Sequence, residues 1–86
     1  MFYVYLLRSH RDGQLYLGST RDLIQRFREH EKGRVPSTRG RRPLSLIYYE
    51  AYRVESDVRR REHNLKLRAN AWNQLRRRLP NTLKSD

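Results

Sequence analysis

The 86-residue sequence contains no cysteine, which restricts how so short a chain can be stabilised. Neither a disulfide nor a thiolate-bound metal can hold the fold together. A chain of this size buries only about 60% of the surface that it exposes when unfolded. Hydrophobic and charged residues are almost equally frequent, at 36% and 34%. The stability must therefore come from a single compact domain in which helices pack against a sheet.

Apolar and turn-forming residues predict a mixed α/β fold of the α+β type, in which helices flank a three-stranded antiparallel sheet in the order β-β-α-β-α-α. Asp12-Gly13 favours a two-residue hairpin turn, which would pair Ser9 with Tyr16 and place Tyr5 and Tyr16 on one face. Residues 1–79 are expected to form the domain and 80–86 a flexible C-terminal tail. The predicted strands cover 2–8, 14–18 and 44–53, and the predicted helices cover about 21–32, 57–68 and 71–79.

The ends of the predicted helices are marked by capping residues. Ser19 and Thr20 offer hydroxyl groups that can cap the first helix, and Ser56 can cap the second. Along the first helix, Leu23, Ile24 and Phe27 form the expected apolar stripe. The segment between this helix and the third strand, residues 34–43, contains two prolines and a glycine and is expected to be a loop.

The sequence is strongly basic, with 20 Lys and Arg against 9 Asp and Glu and a net charge of +11. Such a charge attracts polyanions, and DNA carries a phosphate charge about every 1.7 Å of duplex axis. Anionic membrane is the competing partner, but no basic helix carries large apolar residues on its opposite face. We therefore expect a nucleic-acid partner, with DNA preferred over RNA. The expected phosphate contacts are Arg39, Arg41, Arg42, Arg59, Arg60, Arg61, Lys66, Arg68, Arg76, Arg77 and Arg78.

Glu62 is the most informative single residue. At helical spacing it falls in the apolar stripe of Val58, Leu65 and Ala69, which would place a carboxylate on a buried face. A buried carboxylate needs a cation, so the site either binds a metal ion or forms a salt bridge with a nearby arginine. The spacing alone leaves both open.

Arg26 and His30 lie four residues apart, so both point the same way along one edge of the first helix. A cation and an imidazole at a groove edge suit a phosphate and its leaving group. The alternative is two solvated residues on an amphipathic helix. Tyr5 and Tyr16 could position or deprotonate a water, although most strand tyrosines only pack.

The motifs Tyr3-Val4-Tyr5 and Tyr16-Leu17-Gly18 resemble the two tripeptides that name the GIY-YIG endonuclease family. Arg26 and His30 match the family's arginine and histidine, and Arg60-Arg61-Glu62 is similar to the segment that carries its metal-binding glutamate. The resemblance covers residues 2–68 and is greatest to the small stand-alone bacterial, UPF0213-like subgroup. The first tripeptide lacks the family's glycine, and the second has leucine for isoleucine. Candidates for the family's later asparagine are Asn70 and Asn73.

The resemblance implies one Mg²⁺ or Mn²⁺ ion held by Glu62, with Arg26 stabilising charge on the scissile phosphate. It also implies that Tyr5 or Tyr16 is the general base, with His30 supporting that tyrosine.

The leading hypothesis is a metal-dependent endonuclease that cuts DNA, with branched or damaged DNA as candidate substrates. The alternatives are a non-cleaving DNA- or RNA-binding domain of the same fold, and a basic interaction module of the ribosome or chromatin. The first apolar run, residues 1–7, is too short to span a bilayer and has no basic stretch before it. We therefore expect a cytoplasmic protein, and we assume a monomer.

Overall fold

A computed structural model describes residues 1–84 and contains one antiparallel sheet of three strands in the order β2-β1-β3. The fold class and the element order expected from the sequence are confirmed, and a short additional helix, α2, lies within the segment expected to be a loop. The strands are β1 (Phe2–Ser9), β2 (Leu15–Thr20) and β3 (Leu44–Tyr52), and the helices are α1 (Leu23–Glu31), α2 (Pro36–Arg39), α3 (Glu55–Leu67) and α4 (Ala69–Arg78).

The β1–β2 connection is longer than the predicted two-residue turn. The Ser9 hydroxyl accepts hydrogen bonds from the backbone N–H groups of Arg11 and Asp12, and this stabilises a wider loop. Tyr16 therefore pairs with Leu7, and the predicted pairing with Ser9 is wrong. The register differs from the predicted one by two residues. Because side chains alternate with a period of two, Tyr16 still lies on the same face of the sheet as Tyr5.

The sheet is covered on both faces, so the core has two layers. On one face, Val4 and Leu6 pack against α3 and α4 through Val58, Leu65 and Leu75. The opposite face carries the second cluster, which contains Tyr5, Leu7 and Leu44, with Tyr16, Leu23, Phe27 and Leu46 packed against it. Burial on both faces explains the unbroken apolar run of the central strand β1.

Helix α1 begins two residues later than predicted because Ser19 and Thr20 belong to β2. Asp22 is the N-cap, and its carboxylate accepts a hydrogen bond from the backbone N–H of Gln25 at 3.0 Å. The predicted apolar stripe is partly wrong, because Ile24 is 67% exposed.

The second half of the chain differs from expectation mainly at the helix ends. Helix α3 begins at Glu55 after Val54, so Ser56 is inside the helix and does not cap it. Ala69 starts α4, and the stripe on α3 is therefore shorter than predicted.

Two further observations concern the C-terminal segment and membrane crossing. Leu83, in the segment expected to be a flexible tail, packs against the α3–α4 core, and its carbonyl accepts a hydrogen bond from Arg8. Residues 85 and 86 lie outside the described residues. Within residues 1–84, none of the helices combines the length and the apolar character needed to cross a bilayer.

Candidate active site

A chain of buried hydrogen bonds links Tyr5, His30 and Thr38. The Tyr5 hydroxyl lies 2.8 Å from His30 Nε2, and His30 Nδ1 lies 2.7 Å from Thr38 Oγ1. Tyr5 is 1% exposed, whereas His30 and Thr38 are fully buried. Because both ring nitrogens have a hydroxyl partner, the imidazole is held in one orientation. The three residues come from β1, α1 and α2, so only the folded chain assembles them.

The protonation states of this chain follow from its burial. Burial raises the pKa of the Tyr5 hydroxyl to about 12, even though the charge of Arg26 opposes that rise. Burial also lowers the pKa of His30, and the neighbouring Arg26 charge lowers it further. At neutral pH the structure therefore holds a protonated phenol next to a neutral imidazole, which can accept a proton.

His30 belongs to the buried face of α1, not to its edge as the sequence suggested. Leu23, Phe27 and His30 are spaced at i, i+4 and i+7, which places all three on one side of the helix. Arg26 lies at the rim of that face, and its side chain is 38% exposed. Its guanidinium donates a hydrogen bond to Glu29 at 3.0 Å, and this contact is the largest cause that raises the pKa of Arg26. From this rim, the charge of Arg26 also acts on the pKa values of Tyr5 and His30.

Tyr16 lies on the same face as Tyr5, as predicted, and is partly exposed. Its ring centroid lies 6.4 Å from that of Tyr5 and 5.1 Å from the centre of the His30 ring. The two tyrosines therefore differ in environment: Tyr5 is hydrogen-bonded and buried, and Tyr16 is at the surface of the cluster.

Gly18, the last residue of the second tripeptide, makes room for the Tyr5 hydroxyl. A Cβ atom at this position would lie 2.5 Å from the Tyr5 oxygen and 3.1 Å from the Tyr16 ring. Those distances are too short for non-bonded atoms, so a side chain here would displace the tyrosine from His30. The second tripeptide thus supplies Tyr16 and, through Gly18, the space that the Tyr5 hydroxyl occupies.

Glu62 lies across the edge strand β2 from this cluster. The Ser19 hydroxyl donates a hydrogen bond to Oε1 at 2.6 Å, and Lys66 Nζ lies 2.9 Å from Oε2. Burial by itself would raise the pKa of Glu62, but Ser19 and Lys66 outweigh it and hold that pKa below its usual range. The Glu62 side chain is 22% exposed, so an ionised carboxylate is accessible at the rim of the buried α3 face.

Glu62 is the candidate ligand for a metal ion, and a metal site at this position would be open. Among residues 1–84, no group of three or more His, Cys, Asp or Glu side chains could form a closed metal cage. Mg²⁺ commonly binds proteins through one or two carboxylates and keeps waters and substrate oxygens as its other ligands. The contact with Lys66 shows that this carboxylate already attracts a cation.

Arg61 is held inside the protein, although the sequence suggested a phosphate contact. Its Nε and Nη2 atoms bind the two carboxylate oxygens of Glu50 at 2.8 and 2.9 Å, and the hydroxyls of Tyr48 and Tyr52 also donate to Glu50. Burial opposes ionisation of Glu50, but these partners hold its pKa at about 2. Two of the three guanidinium nitrogens of Arg61 are therefore occupied by Glu50, and the side chain is 24% exposed.

The other proposed phosphate contacts lie at or near the surface. Arg41 pairs with Asp12 at 3.2 Å, Arg59 pairs with Glu55 at 3.4 Å, and Lys66 pairs with Glu62. Asn70 and Asn73 are exposed on α4. The exposed arginines among these proposed contacts form two groups, one around α2 and one along α3 and α4: Arg39, Arg42, Arg59, Arg60, Arg68, Arg76, Arg77 and Arg78.

Sequence reasoning missed three polar residues that shape the site. Thr38 gave no signal because its partner, His30, is eight residues away across a change of element. Ser19 was interpreted as a helix cap and instead binds Glu62 from β2. Glu50 is a partly buried carboxylate that lies between tyrosines in β3, and the sequence pattern of the strand does not distinguish it from an exposed one.

Comparison with known proteins agrees with this fold. The model of the GIY-YIG catalytic domain matches residues 1–78. The chain therefore belongs to the GIY-YIG family, whose domain has a nuclease-type fold.

Several relatives carry the UPF0213 name. The chain is 40% identical to a UPF0213 protein of Haloquadratum walsbyi over 65 residues, covering 74% of this chain and 72% of that protein. It is 41% identical to a UPF0213 protein of Pediococcus pentosaceus over 68 residues, or 78% and 70% of the two chains. The solution structure of a UPF0213 protein of Bacillus halodurans, 35% identical, superposes with a TM-score of 0.53 and covers 87% of this chain and 82% of that one.

Proposed function

We propose that this protein is a metal-dependent endonuclease that hydrolyses phosphodiester bonds in DNA. The observation that carries the proposal is the buried hydrogen bond between Tyr5 and a neutral His30 beside Arg26. A domain that only binds nucleic acid has no need for a proton acceptor behind a buried phenol. The family's nuclease-type fold supports the same conclusion.

Arg26 is the proposed phosphate ligand. It remains charged, and its side chain is exposed enough to reach a bound strand. A guanidinium can donate two parallel hydrogen bonds to phosphate oxygens, which orients the phosphorus and stabilises the extra negative charge of the transition state.

Tyr5 and His30 are the proposed proton acceptors, acting together. A free phenolate is unfavourable because the pKa of Tyr5 is about 12. Instead, the attacking water gives a proton to the Tyr5 oxygen as the Tyr5 proton moves to His30 Nε2. The water oxygen forms the new bond to phosphorus, and the bond between phosphorus and the leaving oxygen breaks. In this scheme Nδ1–H donates to Thr38, which leaves Nε2 free to accept.

Glu62 is the proposed ligand of the divalent ion. If Glu62 held such an ion, the ion would supply positive charge to offset that of the phosphate and of the leaving oxygen. The hydrogen bond from Ser19 fixes one carboxylate oxygen, and the second oxygen becomes available if Lys66 moves aside.

The proposal is tested by cleavage of defined substrates. Purified protein is incubated with single-stranded, duplex, flapped and branched DNA and with matched RNA, with Mn²⁺, with Mg²⁺ or with a chelator. We expect cleavage of DNA with either ion and none with the chelator. Binding without cleavage of any of these substrates would overturn the proposal and favour a non-cleaving domain of the same fold.

The exposed arginines lead to a prediction about salt. We expect the affinity for duplex DNA to fall linearly on a log–log plot, with a slope of about −0.9 per phosphate contacted. Substitution of Arg76, Arg77 and Arg78 by glutamine should make the slope less steep, since these residues are exposed on α4. Arg61→Gln should change the stability more than the slope, because Arg61 is bound to Glu50. Fluorescence anisotropy across salt concentrations measures the slopes, and thermal melting measures the stability. A flat salt response in the unmodified protein would exclude a phosphate interface.

A further inference from the structure

Two tyrosines outside the candidate active site lie on the same face of the sheet as Tyr5. Tyr49 is directly opposite Tyr5 in the β1–β3 register and is 53% exposed. Tyr3 lies two residues before Tyr5, so the alternation of side chains places both on that face. The rings of Tyr3 and Tyr49 meet edge to face, with centroids 5.9 Å apart. This contact holds the Tyr49 ring in place while leaving much of its surface exposed.

These rings form part of a shallow groove of about 280 Å³ near the start of α1. Ile24, which is 67% exposed, adds an apolar surface. Arg21 lines the groove, but its guanidinium lies over the Phe2 ring, 5.6 Å from the ring centroid, and the carboxylate of Asp22 is occupied in capping α1. The lining residues are Tyr3, Arg21, Asp22, Leu23, Ile24 and Tyr49.

We propose that this groove binds an unpaired base of the DNA substrate, stacked on Tyr49, next to the phosphate that is cut. The inference rests on the proposed nuclease function and adds a substrate class to it. Exposed aromatic rings stack on unpaired bases of any sequence, because every base presents a π face. The net charge of +11 favours such a polyanion over a neutral protein surface.

The groove adjoins the candidate active site. The Tyr5 hydroxyl lies over Gly18 on β2, and Tyr49 is on β3, with β1 between them. Neighbouring strands are about 4.8 Å apart, so the two features are separated by about 10 Å along the sheet. A strand with its phosphate at Arg26 and Tyr5 can therefore place a nearby base on Tyr49.

This arrangement selects for DNA that contains unpaired nucleotides. In an intact duplex both faces of each base are covered by the stack, and exposing them costs a few kcal/mol. In a bulge, flap or single strand the bases are already unpaired, so binding does not have to supply this free energy. The groove should thus add affinity for these forms and none for a perfect duplex.

The test compares two DNAs that differ only in one bulged nucleotide, which carries a fluorescent base analogue. Binding is measured in a chelator, so that no strand is cut. We expect the unmodified protein to bind the bulged DNA more tightly and to quench the analogue. Tyr49→Ala should weaken binding to the bulged DNA on the order of tenfold and leave the perfect duplex unchanged, as expected for loss of one stacked base. Tyr49→Trp should retain both the preference and the quenching.

Leu67→Ala is the matched control, because Leu67 is 70% exposed on α3 and lies outside the groove. If Tyr49→Ala does not fold, as judged by circular dichroism, Tyr49→Thr keeps a residue suited to a strand and removes the ring. Equal affinities for the two DNAs, or an equal loss on both, would overturn the stacking site. Because binding is measured without metal, loss of the preference counts against the groove alone, and failure to cleave with Mn²⁺ counts against the nuclease proposal alone.

Discussion

Replacement of Glu62 by glutamine should abolish DNA cleavage while the protein stays folded and bound to DNA. Glutamine keeps the size of the side chain, and its carbonyl oxygen can still accept the hydrogen bond from Ser19. It removes the negative charge that would hold the divalent ion and that now pairs with Lys66. DNA affinity should stay the same or rise slightly, since one repulsive charge has been removed. Single-turnover cleavage and anisotropy measure the two effects.

Asp57→Asn is the matched control for this substitution. Asp57 lies on the same helix, α3, and is exposed in its first turn. The control should cut like the unmodified protein, although it loses the same unit of charge. If Glu62→Gln cuts as fast as Asp57→Asn, Glu62 is a structural partner of Ser19 and Lys66 only, and the one-metal proposal is wrong.

Replacement of Tyr5 by phenylalanine should reduce the rate of cleavage at least about a hundredfold, as loss of a general base commonly does. The substitution removes the hydroxyl that contacts His30. It also leaves a buried imidazole nitrogen without a partner, which costs about 1–3 kcal/mol of stability. Tyr16→Phe should have the smaller effect on rate, because Tyr16 lies at the partly exposed surface of the cluster.

Tyr48→Phe separates a catalytic loss from a loss of stability. Its hydroxyl is also hydrogen-bonded, to Glu50 at 2.6 Å, but it packs on the other face of the sheet. Thermal melting should therefore show destabilisation in both variants, whereas only Tyr5→Phe should lose cleavage. Full activity in a folded Tyr5→Phe protein would exclude Tyr5 from the chemistry.

The dependence of the cleavage rate on pH is a second measurement of the role of Tyr5 and His30. Cleavage requires neutral His30, so the rate should rise with pH through the pKa of His30 and then level off. Because burial and Arg26 hold that pKa below 6.5, this rise should occur at more acidic pH than an ordinary histidine would give. In Tyr5→Phe the residual rate should lose this step, because the connection to His30 is broken.

Much of the site could be predicted from the sequence because it depends on short-range periodicity. The spacing of four residues places Arg26 and His30 on one side of a helix, and the alternation along strands places Tyr5 and Tyr16 on one face. The second of these predictions was correct even though the turn was wrong, since a two-residue shift of register preserves the facing of every side chain. The position of Glu62 beside Val58 and Leu65 also follows from helical spacing, and the structure places it at the rim of that stripe.

The sequence by itself therefore determined the order of the main elements, the shared face of Tyr5 and Tyr16 and the candidate catalytic residues. Tertiary structure alone decided which polar groups meet. It buries His30 between Tyr5 and Thr38, pairs Arg61 with Glu50 and brings the Ser19 hydroxyl to Glu62. These partners come from different elements, and no local pattern records which elements will pack together. The pKa values of Tyr5 and His30 depend on that packing, because burial is their largest cause.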